Sequence, residues 1–186
     1  LRKVRGADRT PGRFRTIQNW IGPIGGKIEE ATYVPPYAKE LPRVLTKFEK
    51  FIQNPPTKMP ILIQTALMHY QFEAIHPFID GNGRIGRLLI TLFLCEREAM
   101  PQPLLYLSAF FDANKSKYYE RLLEVSKNSD FLGWIKFFLE GVNIQAKETT
   151  ENIQKIIELQ GKYQDRLRGM KATANAIRIV DGLFLN

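Results

Sequence analysis

Cysteine is nearly absent from this 186-residue chain, where Cys95 stands alone. No intramolecular disulfide can staple the fold, so stability has to come from a packed core. A lone thiol within an apolar stretch suits a reducing compartment, and the cytoplasm is the expected location. Histidine is equally sparse, with His69 and His76 the only two. Seven positions apart on one helix they lie ~10.5 Å apart along its axis, too far for one metal ion to bridge. Long hydrophobic runs are missing as well. The longest, such as 88–95, stops well short of the ~20 residues that span a bilayer. No charged, apolar, small-residue leader opens the sequence, and the expectation is a soluble protein without membrane contact. Internal repeats and low-complexity tracts are also lacking.

What is present is enough for one core. With 44% hydrophobic residues over this length, one compact domain is the default. The formal charge of +8 suits an anionic partner without choosing among nucleotide, nucleic acid and acidic protein. Six of the 27 basic side chains fall in the first 15 residues, among Gly6, Pro11 and Gly12, which reads as a solvated arm. The sequence begins at Leu1 and runs at once into Arg2-Lys3-Val4-Arg5, as expected of a piece of something longer.

Periodicity along the chain is helical with one exception. Residues 14–21 and 27–34 carry strand formers (Ile17, Trp20, Ile21, Ile28, Tyr33, Val34) around the turn chemistry of Gly22-Pro-Ile-Gly-Gly26. Pro35-Pro36 would end the second strand, so the spacing predicts a β-hairpin over about 14–34. Val44, Leu45, Phe48, Phe51 and Ile52 recur at steps of three and four, which predicts an amphipathic helix closed by Asn54-Pro55-Pro56. From 59 to 75 apolar residues occupy more than one face, as in a buried central helix. Pro77 should stop it with His76 at its C-terminal end. A second buried helix is predicted from about Gly83 to about Glu98, then helices at about 115–127 and 130–147. A peripheral helix and a short apolar helix at 172–184 follow. The class is mainly α with one β-ribbon.

The chemistry is concentrated in His76-Pro-Phe-Ile-Asp-Gly-Asn-Gly-Arg-Ile-Gly-Arg87. Gly81-Asn82-Gly83 links two buried helices, and its glycines let successive N–H groups converge on an anion. The helix that follows adds unpaired amides and the positive end of its dipole. Arg84 and Arg87, three apart in its first turn, suit several phosphate oxygens, so a polyphosphate fits better than one phosphate. A carboxylate at Asp80 would be repelled there unless a cation intervened, and Mg²⁺ is the natural one. His76 could accept a proton, and a helix C-terminus would favour the resulting imidazolium. A base, a metal and a phosphate cradle together imply attack by a hydroxyl on phosphorus.

This segment resembles in full the motif His-Pro-Phe-x-Asp/Glu-Gly-Asn-Gly-Arg-x-x-Arg of the Fic family. Likeness extends to Val4-Arg-Gly, Pro11-Gly-Arg-Phe-Arg15, Gln71-Phe-Glu-Ala-Ile75, Tyr118-Tyr119 and the stretch 134–138, covering roughly residues 4 to 147. The resemblance implies a Fic-type helical domain over 1–147 with a hairpin flap and an active-site loop at 76–87. A C-terminal helical extension, 148–186, would follow, resembling at most the first helix of a winged-helix domain. It further implies transfer of AMP from ATP to a Ser, Thr or Tyr hydroxyl of a target protein, releasing pyrophosphate.

By the same resemblance His76 would deprotonate the hydroxyl, Asp80 would hold Mg²⁺, and Gly81, Asn82 and Gly83 would bind the α- and β-phosphates. Arg84 would contact the β-phosphate region and Arg87 the γ-phosphate, with Ile85 and Gly86 inside the nucleotide-binding stretch. Ala31, Thr32 and Tyr33 would lie over the nucleotide and Tyr118 near the adenine. The flap would receive the target segment as an added strand, and self-modification and oligomerisation are compatible with this scheme. Many family members also carry a Ser/Thr-x-x-x-Glu-Gly/Asn helix whose glutamate blocks the second motif arginine. No such string occurs here, and its expected place is upstream, leaving Arg87 unpaired.

The competing readings are the same fold moving UMP or phosphocholine, removal of AMP from a modified target, and a DNA-associated regulatory module with a vestigial site. DNA binding finds no support in this sequence. Outside the motif, His69 is expected to be packed or hydrogen-bonded near the site. Cys95, Trp20 and Trp134 are read as structural, and Glu73 either orients His76 or solvates the helix end.

Overall fold

A computed structural model describes residues 12–23 and 25–184. The basic arm before Gly12, with the likeness at 4–6 and at Pro11, and turn position 24 lie outside the described residues. Among the described residues seven α-helices follow an irregular opening segment: α1 Leu41–Gln53, α2 Ile61–Ile75, α3 Asn82–Glu96, α4 Leu107–Ala113, α5 Lys115–Asn128, α6 Phe131–Gly169 and α7 Ala174–Phe184. No helix among the described residues is long and apolar enough to cross a membrane. The chain divides into two compact units after Val142.

In the first unit the expected amphipathic and buried helices form where the periodicity places them. Pro42 stands in the first turn of α1, where its missing N–H has no partner to lose. The apolar stripe of α1 buries Leu41 and Phe48 against Met68, Phe72 and Ile75 of α2 and Phe93 of α3. The other side of α2 meets aromatic rings. Trp134 is completely buried among Phe111, Phe137, Phe138 and Tyr118, and its indole N–H donates to the Ala66 carbonyl at 2.8 Å. Burial on two faces is why α2 reads as apolar all round, and it makes α2 the fixed axis on which the site is built.

Two expectations for helices change. Helix α4 carries no signal long enough to be read, seven residues beyond a Pro-Gln-Pro linker, and it forms because Leu107, Phe110 and Phe111 are buried. The helices expected at 130–147 and beyond are one continuous α6 of 39 residues. No proline or paired glycine interrupts 143–160, so nothing ends the hydrogen-bond ladder. In the second unit the side chains of Gln160 and Gln164 both donate to Asp181 Oδ1, at 3.3 and 2.6 Å, and tie the end of α6 to α7.

The hairpin over 14–34 is not formed. Among the described residues there is a single antiparallel bridge, between Ile21 and Tyr33. The Glu30 carboxylate accepts the Lys27 N–H at 2.9 Å, which helps wind Ile28–Glu30 into a 3₁₀ turn and consumes the residues a second strand would need. The other arm is held by side chains instead: Asn19 Nδ2 donates to the Phe78 carbonyl at 3.0 Å and Gln18 Nε2 to that of Pro35 at 3.0 Å. Its Arg15 N–H bonds to the Pro77 carbonyl at 2.9 Å rather than to a ladder. Strand propensity loses here to anchoring on the α2–α3 junction.

Gly141 and Gly161 both lie inside α6 but meet different surroundings. A Cβ at Gly141 would come within 2.4 Å of the Phe110 ring, whereas one at Gly161 would meet nothing within 4 Å. Gly141→Ala should therefore destabilise the protein by about 1–3 kcal/mol through overpacking, against a helix-propensity gain of up to about 1 kcal/mol at Gly161→Ala. Urea denaturation monitored by circular dichroism reads both, and the two substitutions should move the midpoint in opposite directions.

Candidate active site

Helix α2 ends at His76, whose φ of 49° and ψ of 59° are left-handed. Proline at 77 excludes the right-handed helical region for this residue, and a non-glycine residue at positive φ needs support from outside. Arg15 gives that support. Its guanidinium is buried and donates to the carbonyls of His76 at 2.9 Å, Ile75 at 3.4 Å and Ile17 at 3.3 Å, and to that of Pro36. Burial pulls its pKa below the ordinary value, opposed by Tyr33. A cation ringed by the last carbonyls of α2 complements the negative end of that helix.

The imidazole of His76 sits with Nδ1 3.3 Å from the Glu73 carbonyl. A carbonyl can only accept, so Nδ1 carries the proton and Nε2 keeps its lone pair. Burial lowers the pKa of His76, the bond to Glu73 raises it and Arg15 lowers it again. The carbonyl at the helix end does favour the imidazolium, as expected, but desolvation is the larger cause and the net shift favours the neutral ring that a base requires.

The loop after His76 closes on itself. Asn82 Oδ1 accepts the Phe78 N–H at 2.9 Å while Nδ2 donates to the Phe78 carbonyl at 2.8 Å. Both ends of this buried side chain are thereby engaged, and what Asn82 can offer an anion is its backbone N–H. Gly81 supplies φ of 89° at the N-cap of α3. The first bond of the helix joins the Ile85 N–H to the Gly81 carbonyl at 3.0 Å, so the amides of Asn82 and Gly83 precede the ladder. Asp80 and Arg84 form an ion pair at 3.7 Å with side chains 44% and 41% exposed.

Two motif positions turn elsewhere. Ile85 packs on the hydrophobic core. Gly86 is buried, its carbonyl 3.0 Å from Nδ1 of His69, and a Cβ there would sit 2.2 Å from Glu73 Oε1.

A cavity of about 420 Å³ opens beside this junction, within the range of small-molecule sites. Its wall brings together His76, Gly83 and Arg87 with Thr32, Tyr33 and Tyr118. Tyr33 is fixed there by its hydroxyl, which donates to the Ala74 carbonyl at 2.9 Å. Its pKa is pushed up to about 12, first by burial. Ala31 is at the end of the 3₁₀ turn and not in the wall. Trp20, read as a packing anchor, is 40% exposed and borders the cavity, whereas Trp134 is the anchor expected. Tyr70, Glu73, Tyr119, Leu122, Leu123 and Ser126 also belong to the lining. The sequence carried the signal for these: 70 and 73 precede His76 at helical steps, and 119, 122, 123 and 126 share one face of α5.

His69 is wholly buried behind this wall, with Nδ1 on the Gly86 carbonyl and Nε2 2.9 Å from the Tyr118 hydroxyl. The carbonyl fixes the tautomer, so Nδ1 donates and the tyrosine hydroxyl donates to Nε2. His69 thus ties the first turns of α3 to α5. It is hydrogen-bonded next to the site, in the place expected of it. No group of three or more His, Cys, Asp or Glu side chains able to hold a metal occurs among the described residues.

A sequence model of the Fic/DOC family matches residues 3–94. Relatives named protein adenylyltransferase Fic occur in Drosophila ananassae, 30% identical over 130 residues, and Drosophila erecta, 30% identical over 170 residues. The alignments cover 69% and 87% of this chain but 23% and 31% of those proteins, so the chain spans less than a third of the curated relatives it matches. A Fic family protein from Desulfovibrio desulfuricans superposes with a TM-score of 0.68 at 27% identity, covering 80% of this chain and 43% of the other. Fic-1 from C. elegans superposes with a TM-score of 0.60 at 23% identity, covering 83% and 42%, which speaks for the fold alone.

Burial holds the pKa of His69 down to about 4, the Gly86 bond opposing and Arg87 reinforcing. Imidazole ¹⁵N spectra should show His69 as the Nδ1–H tautomer at neutral pH and unprotonated until the pH falls to about 4. Half-protonation near the ordinary value of about 6.5 would contradict the buried, twice-bonded placement.

Proposed function

Because the chain belongs to the Fic/DOC family through residues 3–94, we propose that it is a protein adenylyltransferase, moving AMP from Mg·ATP to a Ser, Thr or Tyr hydroxyl of a target protein. The observation that carries this reading is the meeting of an imidazole whose burial lowers its pKa, the backbone at the start of α3 and a guanidinium around one cavity, from His76, Gly83 and Arg87. A base alone would serve many reactions, but next to an anion cradle it serves attack on phosphorus.

In the proposed reaction the target hydroxyl oxygen bonds to the α-phosphorus as His76 Nε2 takes its proton. The bond from the α-phosphorus to the bridging oxygen breaks, and pyrophosphate leaves. The amides of Asn82 and Gly83 would cradle the α- and β-phosphates, with Gly81 shaping the turn. Arg84 would meet the β-phosphate region and Arg87 the γ-phosphate, so that the α-phosphate is held for in-line attack. Thr32, Tyr33 and Tyr118 would border the nucleoside.

Mg²⁺ fits the donor set. Asp80 is a single half-exposed carboxylate paired to Arg84, and this ion takes one or two carboxylates with phosphate oxygens and water. Asp80 would hold it, and the ion would neutralise phosphate charge. The opening segment leaves Phe14, Ile17, Trp20, Ile21 and Val34 between 38% and 65% exposed. Of these, Trp20 and Ile21 border the cavity, and this apolar surface is where a target segment would dock.

ATP labelled at the α-phosphate should label target protein, or this chain itself, while ATP labelled at the γ-phosphate should not. Label arriving from γ would overturn the assignment. His76→Ala should keep Mg·ATP binding in calorimetry and lose transfer by about 10²–10⁴-fold, whereas Arg87→Ala should weaken binding itself.

A further inference from the structure

Glu73 stands on α2 one turn before His76, and its Oε1 is fully buried without a hydrogen-bond partner. That is an unusual state for a carboxylate oxygen. The oxygen lies over the start of α3, 3.9 Å from where a Cβ of Gly83 would be, and the Arg87 guanidinium lies 3.2 Å from the same point. Glycine at 86 is what makes room for it, since a Cβ there would overlap the carboxylate. Glu73 and Arg87 both border the cavity that takes the nucleotide in the proposed function.

Other charged or titratable groups face Glu73. Helix α3 contributes Arg87, which favours its ionised form. Helix α5 contributes the Tyr118 phenol, whose ionisation Glu73 opposes and whose pKa burial raises. On α2 itself His76 bonds to the Glu73 backbone, while His69 is neutral and already bonded on both nitrogens. From the opening segment comes Tyr33, kept protonated by burial. Arg87 is therefore the single permanent charge among them.

We propose that Glu73 is the internal counter-ion of Arg87, and that when a nucleoside triphosphate claims the Arg87 guanidinium the Glu73 carboxylate takes up a proton. This rests on the proposed function, which puts the terminal phosphates at Arg87. A phosphate and an ionised carboxylate cannot share one guanidinium in a desolvated corner without repulsion, and protonation removes it. Burial already pushes the Glu73 pKa up to about 7, with Arg87 opposing, so the proton is available near neutral pH. Glu73 is a positioning residue: it acts through Arg87 and touches no reacting atom.

The test uses the whole chain, Mg²⁺ and α,β-methylene ATP, which cannot transfer AMP. Calorimetry at about pH 6 and about pH 8.5, in buffers of different ionisation enthalpy, measures affinity and proton uptake. Wild-type affinity should weaken above the Glu73 pKa by up to ~tenfold per pH unit, with close to one proton taken up at the higher pH. Glu73→Gln, the isosteric neutral form, should bind at about pH 8.5 as the wild type does at about pH 6 and lose that proton uptake. Titration of the ligand is common to both proteins and cancels in the comparison.

Equal slopes and equal uptake in the two proteins overturn the inference while leaving the proposed function standing. Failure of the folded wild type to bind the analogue overturns the proposed function and this inference with it. If Glu73→Gln does not fold, infrared difference spectra of the wild type decide: a protonated-carboxyl band must appear when the analogue is added above neutral pH, and its absence is fatal to the idea.

Discussion

Arg15 carries the architecture of the site. Its guanidinium gathers carbonyls from the end of α2 and from the opening segment at Ile17 and Pro36. Without a cation there, those carbonyls would converge with nothing to balance them, and His76 would have little to hold it at positive φ. The base, the loop behind it and the wall over the cavity are thus registered by one buried side chain. A surface arginine of the same charge would contribute next to nothing. Burial makes this one decisive, because its own donors are withdrawn from water and have only these carbonyls to meet.

The buried titratable groups around the cavity pull stability in opposite directions. His69 has its folded pKa depressed to about 4, so its contribution is present above the unfolded value of about 6.5 and is lost as pH falls toward 4. Glu73 is raised to about 7. The folded state binds the extra proton, so that contribution is present at low pH and lost as pH rises through 7. Over roughly pH 4.5 to 6.5 the two slopes oppose, which flattens the dependence of stability on pH while leaving charge at the cavity sensitive to it. A site for a polyanion can in this way contain ionisable groups without making the fold hostage to acidity.

Much of this was legible in the sequence, and the exceptions have causes. The residues of 41–53, 61–75 and 82–96 announce helices because a buried stripe at 3.6-residue spacing has no other explanation over such lengths. The segment 76–87 stood out as a candidate site because histidine, aspartate, glycines and arginines in that order answer no demand of folding. The role of Arg15 was not read from the sequence, where it is one of six basic residues in the first 15, since nothing there shows that its guanidinium is ringed by carbonyls. The hairpin was read from propensity, but strand formers there answer to side-chain anchors on Phe78, Pro77 and Ala74. Glu73 was weighed and left undecided, because its meaning depends on a glycine thirteen positions on.

The double hold of Asn82 on Phe78 has a chemical corollary. Asparagine followed by glycine is the pair most prone to cyclise and deamidate, because the following backbone nitrogen is free to attack the side-chain amide. At Asn82-Gly83 that amide is captured at both ends and the attacking nitrogen lies within the first turn of α3. Isoaspartate should accumulate at this position only as fast as the loop opens. The slow ageing of purified protein, followed by peptide mapping, is therefore a clock for the integrity of the loop that joins α2 to α3.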